Sequence, residues 1–224
     1  MTFSIVARSA DAKSFGVAIA SSSPAVAARC AHARAGAGAV ATQNITDPSL
    51  GPLILDALAR GDDARSALQQ ALSATPYGEY RQLLVVSGEG PPAIHSGARA
   101  LGIVATATGA RAAAAGNLLA RPEIPAAMIA AFAEANDSLG ACLLRALRAG
   151  FELGGEAGPI HSAGLLVVRE VSWPIVDLRV DWSNDDPVAS LAAIWDIYAP
   201  QIEDYVRRAV NPTAAPSFGV PGDL

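Results

Sequence analysis

The first side chain of this sequence that could act as a nucleophile is the hydroxyl of Thr2, which directly follows Met1. An initiator methionine is normally removed when the next side chain is small, and its removal would give Thr2 a free α-amine. A terminal amine has a pKa of about 7.7 to 8.0, so it can accept the hydroxyl proton near neutral pH. The sequence therefore predicts a threonine nucleophile with its own amine as base. The alternative is that Met1 stays in place and Thr2 is an ordinary edge-strand residue.

Two short polar segments could supply groups that stabilise an oxyanion. Thr42-Gln43-Asn44 follows a predicted buried strand and precedes Asp47-Pro48, a pair typical of a helix start. Backbone amides at such a junction, together with an Asn or Gln side chain, are suited to this role. Gly116-Asn117 ends another predicted strand, where glycine permits a close backbone approach and asparagine presents an amide. Either asparagine could instead cap a loop.

Several other chemistries are disfavoured by the content of the chain. Lys13 is the only lysine, and its place in a polar turn suits neither a Schiff base, a phosphate-binding loop nor a Ser-Lys dyad. The three histidines, of which His161 is the last, are too dispersed for a local metal motif, so neither a metal nor a cofactor is expected. Cys30 and Cys142 lie far apart, which favours reduced thiols and leaves Cys30 as an alternative nucleophile.

The composition bounds the class of protein and its partners. With 224 residues, of which 51% are hydrophobic and 17% charged, the chain should bury a substantial core. The net charge of −5 and the scattered arginines exclude the basic footprint of a nucleic-acid or anionic-membrane partner. The sequence shows neither a secretory pattern nor an apolar run of bilayer length, so we expect a cytoplasmic protein. The apolar content and the tryptophans toward the C-terminal end favour a homo-oligomer.

The predicted strands and helices determine where the reactive groups lie. β-prone runs predict strands at 2–9, 15–21, 39–43, 82–87, 93–96, 103–108, 112–116, 162–169 and 174–181. Helical spacing of apolar residues predicts helices starting after Asp47-Pro48 and at Asp62, two more over 124–135 and 139–153, and a last one at Asp186-Pro187. Pro200 should interrupt the last helix.

The order of these elements predicts an α+β fold. Blocks of strands alternate with pairs of helices, which favours helix layers outside a two-sheet sandwich over an alternating βαβ sheet. The chain has no internal repeat and no clear linker, so residues 1–210 are predicted to form one domain. Residues 211–224 contain three prolines and two glycines and are predicted to form an extended tail.

Separated motifs of this chain resemble, as a set, the bacterial and archaeal family called domain of unknown function 1028. The likeness runs in order from Thr2 to about Tyr198. The motifs are Thr2-Phe3-Ser4-Ile5-Val6-Ala7-Arg8, Gly16-Val17-Ala18-Ile19-Ala20-Ser21, Gly38-Ala39-Val40-Ala41-Thr42-Gln43, Arg81-Gln82, Gly116-Asn117 and Val176-Asp177-Leu178-Arg179-Val180-Asp181.

That family is placed in the N-terminal-nucleophile (Ntn) hydrolase superfamily, so the resemblance implies a four-layer αββα sandwich. It also implies that Thr2 is the nucleophile of amide hydrolysis through an ester intermediate. The second predicted strand resembles the Gly-Val-x-x-Ala pattern of proteasome-type relatives, which places Ser21 and Ser22 near the nucleophile. The family often carries lysine where this chain has Ser22 and glutamine where it has His161, so both positions bear on substrate choice.

The leading hypothesis is a metal-free amidohydrolase that cleaves the C–N bond of a small N-acyl or N-carbamoyl compound. Thr2 would attack the carbonyl carbon, while amides around Gln43 and Asn44 and the side chain of Asn117 would hold the oxyanion. The small amide substrate is then the expected partner.

Other residues would support this reaction, and two other functions are compatible with the sequence. Ser21 or Ser22 would orient the Thr2 amine, and His161 would contact the substrate. One rival is a catalytically silent sandwich that binds a small ligand or a partner chain. The other is a cytosolic hydrolase that uses Cys30 as its nucleophile.

Overall fold

A computed structural model describes residues 1–134 and 137–219 of the chain. The first two predicted strands form an antiparallel pair, β1 (Thr2–Arg8) and β2 (Phe15–Ser21). Nearly every residue of both strands is buried, as their continuous apolar runs predict. They lie at the centre of a six-stranded sheet, because β1 also pairs with β8 (Ala112–Asn117) and β2 with β9 (Ser162–Val168).

The remaining strands complete two antiparallel sheets. At the edges of the first sheet lie β7 (Ala105–Thr108) and β10 (Val176–Val180), which gives the order β10-β9-β2-β1-β8-β7. The second sheet has the order β3-β4-β5-β6, with β3 (Ala31–Arg34), β4 (Gly38–Asn44), β5 (Arg81–Ser87) and β6 (Ala93–Ser96). The predicted α+β class is therefore confirmed.

The helices lie mostly where caps and apolar spacing place them. They are α1 (Val26–Cys30), α2 (Leu50–Ala59), α3 (Ala64–Ser73), α4 (Ile124–Ala133), α5 (Leu139–Glu152), α6 (Pro187–Tyr198) and α7 (Ile202–Val210). Asp186 caps α6 by accepting hydrogen bonds from the backbone N–H groups of Val188 and Ala189. A 3₁₀ turn containing Pro200 separates α6 from α7, as predicted.

Some expected boundaries differ from the structure. Helix α2 begins at Leu50, because the Asp47 carboxylate accepts from Ser49 and closes a short turn before the helix. The alanine-rich passage after Pro24, to which the sequence analysis assigns neither a helix nor a strand, forms α1 and β3. Ala135, the expected end of α4, and residues 220–224 of the expected tail lie outside the described residues.

Alternation along the strands sends successive side chains to opposite sides of each sheet. One apolar cluster joins the first sheet to α4 and α5, through Phe3, Ile5, Met128, Leu143 and Leu147. A second contains residues of both sheets, including Val6, Val17, Ile19, Ala41, Leu84 and Ala115. A third joins the second sheet to α2 and α3, through Val40, Ile54, Leu68, Leu83 and Val85. Within the described residues, no helix is both long enough and apolar enough to cross a bilayer.

Candidate active site

A cluster of buried polar side chains lies at one end of the space between the two sheets. Each of these polar side chains lies two or four residues along its strand from a member of the apolar cluster between the sheets. Residues an even number of positions apart on a strand project to the same face, so the polar side chains also lie between the sheets. We call these residues the polar cluster: Thr2, Ser4, Ser21, Gln43, Gln82 and Asn117. Thr2 is 5% exposed, and the other members are fully buried. The structure therefore brings together four residues that the sequence analysis names as site candidates: Thr2, Ser21, Gln43 and Asn117.

The hydroxyls of Thr2 and Ser21 converge on one carbonyl group. Their oxygen atoms are 3.4 Å apart, and both hydroxyls donate to the carbonyl oxygen of Met1. Ser21 is held in turn by Ser23, whose hydroxyl lies 2.7 Å from Ser21 Oγ and whose backbone N–H donates to it at 3.1 Å. Because β1 and β2 are central strands, the hydroxyl pair is fixed by the sheet itself.

Buried amides link the two sheets beside these hydroxyls. Ser4 donates to Gln43 Oε1 at 2.6 Å, and Gln43 Nε2 donates to Gln82 Oε1 at 2.8 Å. Gln82 Nε2 donates to Ser96 Oγ at 2.9 Å, while Asn117 Nδ2 donates to Gln82 Oε1 at 3.1 Å. Hydrogen bonds satisfy most of the polar atoms in this network, which allows it to stay buried.

Asn117 is directly opposite Thr2 in the antiparallel pair of β8 and β1. Side chains at opposite positions project to the same face, with Cβ atoms about 4.5 to 5.5 Å apart. In the described part of the chain, Asn117 Oδ1 is buried and has no hydrogen-bond partner. Gly116 is required beside it, because a Cβ there would lie 2.4 Å from Leu119 Cδ2 and 3.1 Å from the Thr2 carbonyl oxygen. The expected close backbone approach is thus present.

Asn44 is not part of the polar cluster. Its side-chain amide donates to the carbonyl oxygen of Tyr80 at 2.6 Å and accepts from the backbone N–H of Leu101 at 3.1 Å. Its backbone is left-handed, with a φ of 72°. Asparagine tolerates this conformation, so Asn44 ties together the loops at the strand end. Gln82, which the sequence analysis assigned no role in the site, supplies the additional buried amide instead.

The backbone of Ser22 contacts the carboxylate of Glu156, a residue that the sequence analysis does not identify. The backbone N–H of Ser22 lies 3.1 Å from both carboxylate oxygens of Glu156, which is 3% exposed. Burial raises the pKa of Glu156 to about 7, while the Met1 α-amine, Ser22 and His161 act in the opposite direction. A group with this pKa can hold or release a proton near neutral pH. Only the neighbouring glycines mark this position in the sequence.

His161 is held at the end of β9. Its Nδ1 lies 2.7 Å from the carbonyl oxygen of Ser183, and its ring stacks on Trp182 with centroids 4.1 Å apart. Its backbone N–H donates to the Ser21 carbonyl oxygen at 2.9 Å, which extends the β2–β9 ladder by one bond. His161 is half-buried and its charge acts on Glu156, so it belongs to the surroundings of that carboxylate.

Cys30 lies in the apolar cluster between the sheets and is 3% exposed. Its Sγ is 3.8 Å from Thr46 Oγ1, and burial raises the pKa of the thiol. A reactive cysteine requires an accessible thiolate with a lowered pKa. The surroundings of Cys30 therefore disfavour a nucleophilic role.

The fold and the site together define an α+β protein with two antiparallel sheets and a threonine hydroxyl at the edge of a buried polar cluster. The chain belongs to the family of unknown function DUF1028, whose model matches residues 2–191.

A solved structure of the same family is similar over most of its length. Protein SPO2555 from Silicibacter pomeroyi has 28% sequence identity and a TM-score of 0.82, with 91% of this chain and 94% of that chain covered. Anbu (ancestral β-subunit) from Yersinia bercovieri has 11% identity and a TM-score of 0.38, with 91% and 97% covered, a likeness too low to bear on the fold. No curated protein matches the chain.

Proposed function

We propose that this protein is an amidohydrolase of the N-terminal-nucleophile type, with Thr2 as nucleophile once Met1 has been removed. The observation that carries the proposal is the convergence of the Thr2 and Ser21 hydroxyls on a single carbonyl oxygen, that of Met1. A carbonyl group is thus already accommodated next to the proposed nucleophile. The substrate would be a small amide, such as an N-acyl or N-carbamoyl compound.

The proposed reaction has two stages. Thr2 Oγ1 attacks the substrate carbonyl carbon while its proton passes to the α-amine of the same residue. The C–N bond of the tetrahedral intermediate then breaks, the amine returns the proton to the leaving nitrogen, and an ester remains on Thr2. Water, deprotonated by the amine, attacks the ester carbon. The acid is released, and the hydroxyl regains its proton.

The polar cluster supplies the supporting groups for this chemistry. The Ser21 hydroxyl is placed to orient the Thr2 amine and to donate to the oxyanion. Asn117 lies opposite Thr2 on the same face, and only one of its two amide N–H bonds is needed for Gln82. A second N–H thus remains to stabilise negative charge.

The arrangement of the apolar clusters supports the four-layer αββα sandwich of the Ntn superfamily as part of this proposal. One cluster packs helices on the first sheet, another packs helices on the second, and a third lies between the sheets. In such a sandwich Thr2 would lie at the open end of the space between the sheets.

A second candidate function is ligand binding without catalysis. The observation that favours it is the burial of Thr2, which is 5% exposed while Met1 covers its nitrogen and contacts its hydroxyl. Retention of Met1 would block the amine that the proposed reaction needs. The two functions are therefore separated by the state of residue 1.

The test is a screen of small chromogenic amides with protein whose loss of Met1 has been verified by intact mass. Thr2→Val keeps the shape of the side chain without its hydroxyl, and Thr2→Ser keeps the hydroxyl as the matched control. We expect turnover by wild type and Thr2→Ser, and a loss of at least a thousandfold in Thr2→Val. Equal turnover by wild type and Thr2→Val would end the proposal.

A further inference from the structure

Glu156 is a buried carboxylate on which two positive groups act, the Met1 α-amine and the half-buried His161. In the two described segments, no arginine or lysine forms an ion pair with it. Its observed hydrogen-bond donor is a single backbone N–H, that of Ser22, shared between its two oxygens. Buried charges are normally paired, because their desolvation is costly. Removal of Met1 would take one of the two positive groups, the Met1 α-amine, away from this carboxylate.

Residue 1 contacts the proposed nucleophile and the loop that carries this carboxylate. The Met1 carbonyl oxygen accepts from Thr2 and Ser21, and the Met1 α-amine acts electrostatically on Glu156. The thioether lies against the loop that carries Glu156, since a Cβ on Gly158 would be 3.3 Å from Met1 Cε. Met1 thus lies against both the hydroxyl pair and the loop of Glu156.

An acyl group on Thr2 Oγ1 would be attached only two carbon atoms away from the nitrogen that carries Met1. The acyl half of a substrate and the Met1 residue therefore compete for the same space. Met1 is itself an acyl group on the Thr2 nitrogen, and its amine is attached to the carbon atom next to the carbonyl carbon. It shows which chemical groups this space accommodates: a carbonyl at the hydroxyl pair and an amine that acts on Glu156.

We propose that Glu156 recognises a protonated amine on the acyl half of the substrate, so that the preferred substrates are amides of small amino acids. The inference rests on the proposed function and names the substrate class of the same site. An ammonium group on the substrate would take the place of the Met1 α-amine beside the buried Glu156 carboxylate. An uncharged acyl group of the same size leaves the carboxylate unpaired, which costs affinity.

The experiment uses protein lacking Met1 and two nearly isosteric p-nitroanilides, those of glycine and of propionic acid. Wild type is expected to show at least tenfold higher kcat/KM for the glycine compound. Glu156→Gln should lose that preference, because the neutral amide side chain cannot form an ion pair with the ammonium group of the glycine compound. Thermal unfolding of Glu156→Gln verifies that the variant is folded.

Two results would overturn the inference. The first is equal kcat/KM for both compounds in wild type. The second is an equal fall for both compounds in Glu156→Gln, which would mean that the carboxylate acts on Thr2 rather than on the substrate.

A binding measurement distinguishes failure of this inference from failure of the proposed function. Calorimetry with glycinamide and propionamide, on Thr2→Val protein lacking Met1, requires no turnover. Tighter binding of glycinamide that disappears on adding Glu156→Gln supports the inference even if no amide is hydrolysed. Hydrolysis that depends on Thr2, without any amine preference in binding or rate, overturns the inference alone.

Discussion

The hydroxyl of Ser4 on β1 donates a hydrogen bond of 2.6 Å to Oε1 of Gln43 on β4, and this contact connects the two sheets at the proposed site. The network continues from Gln43 through Gln82 to Ser96 on β6. Because each side-chain amide in this network has a hydrogen-bond partner, the network has few alternative conformations. It therefore holds the two sheets in a fixed relative position beside Thr2. Several predictions concern this arrangement and the carboxylate beside it.

Gln82→Ala should destabilise the fold by about 3 kcal/mol, because it leaves buried partners on both sheets without their hydrogen bonds. The buried groups affected are the Gln43 and Asn117 amides and the Gly116 carbonyl, and the hydroxyl of the exposed Ser96 also loses its hydrogen bond. Urea unfolding measures the change. Gln69→Ala, at an exposed position of α3, is the matched control and should stay within about 0.5 kcal/mol of wild type. Equal effects of both substitutions would contradict the role given to the network.

Ser21→Ala should lower kcat for the proposed hydrolysis about tenfold. The variant loses the contact of Ser21 with the Thr2 hydroxyl and the proposed hydrogen bond to the substrate carbonyl oxygen, which would lie where the Met1 carbonyl oxygen lies now. Steady-state kinetics with protein lacking Met1 gives the value. Ser87→Ala removes another buried serine hydroxyl, one that donates to the Glu89 carbonyl oxygen outside the polar cluster, and should leave kcat unchanged. A normal kcat in Ser21→Ala would remove Ser21 from the proposed machinery.

Glu156→Gln should stabilise the Met1-containing protein at high pH by about 3 kcal/mol, since the pKa of Glu156 rises from 4.5 to about 7 on folding and one pKa unit corresponds to about 1.4 kcal/mol. Burial raises the pKa of Glu156 from 4.5 to about 7, so the folded wild type holds its proton more tightly than the unfolded chain. Wild-type stability contributed by this group is complete below pH 4.5 and is lost as the pH rises through 7.

Urea unfolding at pH 5 and pH 8.5 checks this dependence on Glu156. The advantage of the glutamine variant should be larger at pH 8.5, whereas Glu134→Gln, at an exposed position, should show little change at either pH. A pH-independent difference between wild type and Glu156→Gln would contradict the raised pKa.

Cys30 should be unreactive in the folded protein, because burial raises the pKa of its thiol and limits access of a reagent. Both Cys30 and Cys142 are buried, so a thiol-specific dye at pH 7 should react slowly with the native chain and with both cysteines after denaturation. Cys30→Ala should keep the hydrolytic rate of wild type. Rapid labelling of Cys30 with loss of activity would restore the cysteine-hydrolase hypothesis.

The sequence alone determined the strand and helix pattern and part of the site. Continuous apolar runs placed β1 and β2 in a buried sheet, and Asp186-Pro187 placed the start of α6, because alternation and capping act over a few residues. The same alternation accounts for the shared face of Thr2 and Ser4.

Only the tertiary structure decided which polar groups meet. Asn44 follows Gln43 in the sequence, yet its side-chain amide forms hydrogen bonds with the backbone of Tyr80 and Leu101 and not with the polar cluster. Glu156 approaches the backbone N–H of Ser22 across a separation of 134 residues. No local pattern encodes such a contact, because its burial and its raised pKa result from strands and loops that pack together only in the complete fold.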